Sequence, residues 1–117
     1  MSEASAAQVR EEVLGREYVA GATAPRTPAH ADLQDFVTSV AWGTWARGVL
    51  ARRDRSLLTL GITAALGRME EFELHLRGAV NNGVSDAELD EVMLHIGVYA
   101  GVPAALAARR ALDRTRA

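Results

Sequence analysis

Glu71 and His75 stand four residues apart, with Arg68 and Glu70 just upstream. On a helix that spacing puts both side chains on one face. A carboxylate beside an imidazole favours the charged ring, raises its pKa and makes it a general acid near neutral pH. The plainer alternative is a surface Glu–His pair, a common arrangement at this separation. A second group is Arg47, Arg52, Arg53 and Arg55. Guanidinium groups grip carboxylates with two parallel hydrogen bonds, and a helix N-terminus adds partial positive charge, so this junction can hold a small dicarboxylate. The competing reading is a solvated charged turn in which Asp54 neutralises one arginine. Glu88, Glu91, His95 and Tyr99 repeat at spacings of three and four, but one helix presents them in a line rather than around an ion. That stripe therefore reads as a solvated or intersubunit face before it reads as a metal site. Trp42, Trp45 and Phe36 either wall an apolar pocket for a planar ligand or fill a core. His30 has no partner nearby in sequence and is assigned no role.

Composition narrows the chemistry further. All 13 basic residues are arginine and cysteine is absent, which excludes Schiff-base and phosphate-loop lysines, thiolate catalysis, disulfides and cysteine-ligated metals. A formal charge of −2 gives no general attraction for nucleic acid or acidic lipid, so neither is expected as a partner. No apolar run reaches the roughly 18 residues needed to span a bilayer, and the opening Met1-Ser2-Glu3-Ala4 lacks a signal-peptide pattern, so a cytoplasmic location is expected. A chain of 117 residues suits one domain that buries about two-thirds of its unfolded surface and gains from self-association.

The elements that must position these residues are all helical. Val9, Val13 and Leu14 predict a helix over 6–18 that dies at Gly21, and the segment Gly21 to Pro28, with two prolines, predicts a loop. Thr27-Pro28 is a cap and first-turn proline for a helix over 28–46, with Leu33, Phe36, Val37, Val40, Ala41 and Trp45 on its apolar face. Asp54 is a natural N-cap for a third helix through Leu66, apolar almost all round and so expected to be buried and central. A fourth over 69–82 turns Phe72, Leu76, Ala79 and Val80 to one side and stops at Asn82-Gly83. Ser85 and Glu88 form a capping box for the fifth, with Leu89, Val92, Met93, Ile96 and Ala100 inward. Gly101-Val102-Pro103 interrupts it, and a last helix runs to about Arg114, where Arg109, Arg110 and Arg114 complement its C-terminal end. The expectation is an all-α, single-domain bundle of about six helices, residues 1–27 forming an N-terminal helix and loop and 28–117 the core.

Five blocks in order carry a resemblance: Trp42-Gly43-Thr44-Trp45; Arg52-Arg53-Asp54-Arg55-Ser56-Leu57-Leu58-Thr59-Leu60; Glu71-Phe72-Glu73-Leu74-His75-Leu76-Arg77; Asn81-Asn82-Gly83-Val84; and Tyr99-Ala100-Gly101-Val102-Pro103-Ala104-Ala105. With Glu11-Glu12-Val13-Leu14-Gly15 ahead of them, the chain resembles the carboxymuconolactone decarboxylase family over nearly its whole length. The resemblance implies an alkylhydroperoxidase D-like all-α fold and assembly as a trimer or hexamer. Peroxidatic relatives carry Cys-x-x-Cys followed four residues later by His. Here His75 matches that histidine while Arg68 and Glu71 occupy the cysteine positions, so peroxidase chemistry is not expected.

The implied reaction is cofactor-independent loss of carbon dioxide from a small dicarboxylate lactone, 4-carboxymuconolactone, giving the enol-lactone of 3-oxoadipate in protocatechuate breakdown. No metal or other cofactor is implied, because the electrons left behind delocalise onto the lactone carbonyl of the substrate itself. The enzyme has to hold the remote carboxylate, stabilise the oxyanion and return a proton to carbon. On this reading Arg55, with Arg52 or Arg53 assisting, anchors a carboxylate. His75 is the proton donor or oxyanion partner, and Glu71 orients it or exchanges a proton directly. Trp42, Trp45 and Tyr99 wall the pocket. Two other readings stay open, a relative acting on a different small cyclic acid and a noncatalytic helical assembly module.

Overall fold

The computed structural model describes residues 3–22 and 27–117. Its internal contacts fall into two units, Met1–Arg52 and Arg53–Ala117. Among the described residues every regular element is helical.

In the first unit α1 spans Glu3–Leu14 and α2 spans Arg16–Ala22, where the periodicity predicted one helix through Tyr18. Gly15 separates them at φ +96°, a backbone conformation costly for any residue with a Cβ. Its N–H still closes onto the Glu11 carbonyl at 2.8 Å, so the chain changes direction without abandoning a hydrogen bond. The second helix passes through Gly21 rather than stopping there. Ala6, Val9, Val13 and Leu14 of α1 and Val19 of α2 are buried. Of the predicted 21–28 loop, residues 23–26 lie outside the described residues.

Thr27 caps α3 (Pro28–Val37), its hydroxyl accepting the His30 N–H at 3.4 Å, with Pro28 in the first turn as expected. The helix then widens into a π turn, Thr38–Trp42, before a closing turn, α4 (Gly43–Trp45). A π turn inserts one extra residue and rotates everything after it by roughly 100°. The predicted apolar face is corrected: Trp42 is the buried residue, while Leu33, Phe36, Val37 and Val40 are exposed and Ala41 lies outside with them. α1 packs against α2, the π turn and α4.

The second unit is built around one cluster, Leu60 and Ala64 of α5 (Arg52–Ala65), Phe72, Leu76 and Ala79 of α6 (Met69–Asn81), Leu89, Met93 and Ile96 of α7 (Asp86–Ala100), and Ala108, Ala111 and Leu112 of α8 (Val102–Arg116), closed by Val84. Full burial of a Leu or Phe side chain stabilises by about 1.5–3 kcal/mol, so this cluster holds the unit together. α6 stops where Gly83 takes φ +89° and the Val84 N–H returns to the Ala79 carbonyl at 3.0 Å. The Ser85–Glu88 capping box is present in both directions, at 3.1 and 3.0 Å. Gly101, at φ +96°, separates α7 from α8.

Three expectations for this unit are corrected. Asp54 lies inside the first turn of α5 rather than at its N-cap, because the helix begins at Arg52. That helix is not buried all round: Ser56, Leu60 and Ala64 face inward, but Leu58 and Ile62 are half exposed. Val80 and Ala100 likewise face outward. Near the start of α7, Asp90 accepts hydrogen bonds from Arg109 and Arg116 of α8, both at 2.8 Å, and Arg109 also holds Asp113 at 2.7 Å. Arg114 reaches Glu73 at 3.3 Å. These arginines act on neighbouring carboxylates more than on the carbonyls ending α8.

Candidate active site

α6 presents its apolar residues at Phe72, Leu76 and Ala79, and His75 falls on the same buried side because it is one position from Leu76 and three from Phe72. It is 9% exposed, and its Nδ1 is closed off from solvent. Glu71, one turn earlier, is exposed and sits with Glu70 in the first turn, where the helix dipole favours negative charge. The expected juxtaposition of carboxylate and imidazole is therefore present, and its electrostatic effect has the expected sign. It is outweighed. Burial disfavours the charged ring more than Glu71 favours it, so the His75 pKa is lowered from its ordinary value rather than raised. His75 is a neutral imidazole at neutral pH, which corrects the sequence expectation of a charged general acid.

The arginines separate by partner. Arg52 donates to Glu12 at 2.9 Å, and Arg53 pairs with Glu88 and stands 3.9 Å from Asp54. These are half-exposed pairs of the kind that contribute little to stability and exchange readily. Arg55 is half-buried, with its Nε closed off from solvent, and its carbonyl accepts the Thr59 hydroxyl at 2.8 Å. Arg47 is exposed.

Trp42 and Trp45 are brought together, their ring centres 5.3 Å apart and tilted by 35°. Phe36, grouped with them by spacing, is exposed. Tyr99 is exposed on α7. It lines a groove of about 690 Å³ between α5 and α7, together with Glu88, Glu91 and His95, and His75 is not among the lining residues. The His95 and Tyr99 rings lie 4.8 Å apart on its wall. The four-residue stripe is thus the polar edge of an otherwise apolar groove, walled by Leu57, Ile62 and Val92 among others. Among the described residues no group of three His, Asp or Glu side chains could hold a metal ion, and no helix is long and apolar enough to cross a membrane.

Two buried polar residues escaped the sequence reading. Ser56, wholly buried in α5, accepts a hydrogen bond from Asn82 at 2.9 Å. Arg10 is 7% exposed. Its signal was in the sequence: positions 6, 9, 10 and 13 form one helical face, and Arg10 interrupts an otherwise apolar run of Ala6, Val9 and Val13.

The chain belongs to the carboxymuconolactone decarboxylase family, whose model covers residues 31–114. Two relatives sharpen this. The chain is 44% identical over 109 residues to the nitrosuccinic acid decarboxylase of Metarhizium robertsii, covering 92% of this chain and 76% of that protein. It is also 44% identical over 102 residues to the 4-carboxymuconolactone decarboxylase of Acinetobacter baylyi, covering 86% and 76%. The chain is a decarboxylase of this family, and equal identity to two enzymes named for different acids leaves its substrate open.

Proposed function

We propose that this chain is a cytoplasmic carboxy-lyase that removes carbon dioxide, without a cofactor, from a small dicarboxylic acid carrying its own electron sink, with 4-carboxymuconolactone of protocatechuate breakdown as the first substrate to test. The observation that carries this reading is the identity to two decarboxylases whose named acids share one chemistry. In 4-carboxymuconolactone the departing carboxylate lies next to an unsaturated lactone. In nitrosuccinic acid one carboxylate lies next to a nitro group. The carbon–carboxylate bond breaks, its electron pair moves onto the lactone carbonyl or nitro oxygen, carbon dioxide leaves and a proton returns to carbon.

The residues supply what such a substrate lacks. Arg55 anchors the carboxylate that stays, and Arg52 and Arg53 assist by exchanging their exposed partners Glu12 and Glu88 for substrate. A neutral His75 serves as the hydrogen-bond donor to the developing oxyanion, and its lowered basicity favours that role over proton donor. Glu71 orients the ring. Self-association belongs to the same proposal, as a trimer or hexamer, and the exposed Leu58, Ile62, Leu94 and Val98 support it.

The test generates 4-carboxymuconolactone in situ from 3-carboxy-cis,cis-muconate with its cycloisomerase, then follows carbon dioxide and enol-lactone after adding the protein with chelator present. Rapid turnover is expected. The nitrosuccinate arm, read by carbon dioxide release, is favoured by the longer alignment to that enzyme. Turnover there alone would move the substrate to the nitro acid, and turnover of neither by a folded sample would overturn both assignments.

A further inference from the structure

Ser56 is the polar interruption of the inward face of α5, whose other buried residues, Leu60 and Ala64, are apolar. Its hydroxyl accepts the Asn82 side-chain N–H at 2.9 Å. The two helices joined in this way carry different parts of the proposed site. Ser56 directly follows Arg55 in α5, and Asn82, the cap of α6, lies seven residues after His75. Seven residues make almost two helical turns, so His75 and Asn82 share a face and stand roughly 10 Å apart along the axis. Residues 66–68 connect α5 to α6, and at that end the Arg68 N–H returns to the Thr63 carbonyl at 2.8 Å. Ser56 and Asn82 close the opposite end of this antiparallel pair. Between the two ends lie Leu60 and Ala64 of α5 and Phe72, Leu76 and Ala79 of α6. Apolar contacts are non-directional and tolerate sliding, whereas a hydrogen bond demands a defined distance and angle.

We infer that Ser56 and Asn82 are positioning residues for the decarboxylation: their bond sets the register of α5 on α6, and with it the span between the carboxylate held by Arg55 and the oxyanion held by His75. The inference rests on the roles proposed above for Arg55 and His75 and adds a specificity to them. Two grips at a set span bind well only a ligand of matching length, so the site selects acids by the separation of their charged ends. Both residues act through their neighbours rather than on the substrate. Misplacing a reacting group by about 1 Å costs roughly 100-fold in rate, so a small slide of α5 along α6 is felt in turnover even where the fold survives it.

The test measures competitive inhibition of carbon dioxide release by succinate, glutarate and adipate, with whichever of the two acids above the wild-type chain turns over. Rates are taken per folded protein, by circular dichroism. Wild-type inhibition constants are expected to differ across the series by at least about tenfold, and Ser56→Ala to narrow that spread at least about threefold. In the same variant kcat should fall at least about tenfold while KM moves by less than about threefold. Asn82→Ala breaks the same bond from the other side and should do the same, and the double variant should go no further than either single one. Asp90→Asn loses stability elsewhere and should keep the wild-type spread. An unchanged spread in Ser56→Ala and Asn82→Ala overturns the inference, as does an equal narrowing in Asp90→Asn or a wild-type chain that does not discriminate by length. Should Ser56→Ala fail to fold, Asn82→Ala decides. A wild-type chain that turns over neither acid is the separate result that overturns the underlying reading, and the positioning role with it.

Discussion

Asn82, the residue at which α6 ends, donates its side-chain N–H to the hydroxyl of wholly buried Ser56 across a sequence separation of 26 residues, at 2.9 Å. The bond fixes the end of one helix against the start of another. Ser56→Ala removes the acceptor and leaves the half-buried amide short of a partner, a loss of about 1–2 kcal/mol. Urea unfolding is expected to show a lower midpoint with an unchanged slope. A midpoint equal to wild type would mean that water replaces the hydroxyl at no cost.

His75→Gln separates chemistry from folding. Turnover is expected to fall by at least about 100-fold with assembly retained, and near-normal turnover would remove His75 from the mechanism. The lowered pKa adds a pH test. Below about 6.5 the unfolded chain takes up a proton at this position that the folded chain resists. Folding stability is therefore expected to decline as pH drops below that value, and the decline should shrink in His75→Gln. For the same reason the acid limb of kcat/KM should lie below pH 6.5, and a limb at or above 7 would contradict the neutral imidazole.

Arg55→Lys keeps the charge and loses the two-pronged grip. KM for the dicarboxylate is expected to rise by about tenfold or more with a smaller change in kcat. Unchanged KM and kcat would place Arg55 away from the substrate.

Asp90, held by Arg109 and Arg116, has a carboxyl whose pKa lies below the ordinary aspartate value because the Arg109 hydrogen bond, then that of Arg116, favours the anion. A depressed folded-state pKa means that its contribution is complete above about pH 4 and disappears as pH falls through the lower, folded value. Asp90→Asn should therefore be less stable than wild type at neutral pH, with the two curves converging in acid. Parallel curves down to pH 2 would show that the network contributes no linkage.

Legibility followed the range of the interaction. The Ser85–Glu88 box, the Thr27-Pro28 start, the Asn82-Gly83 stop and the Gly101 break were readable because each depends on backbone groups within a few residues. The neighbourhood of Glu71 and His75 was readable for the same reason. What burial does was not. The sign of the His75 shift depends on how completely the surrounding helices exclude water, and the exposed side of α5 depends on which helices cover it. Helical spacing reports neither, so Leu58 and Ile62 looked like core. The π turn was invisible because its hydrophobic pattern differs from an α-helix by a single added residue.

That added residue also makes the segment a place where length can change cheaply. Removing one residue between Thr38 and Trp42 would let the π turn relax into an ordinary α turn, with the backbone still continuous and helical. The following turn, Gly43–Trp45, would rotate by roughly 100°, carrying the Trp45 ring away from its place beside Trp42. A one-residue deletion, usually among the harshest changes to a helix, would here act as a substitution at several positions at once.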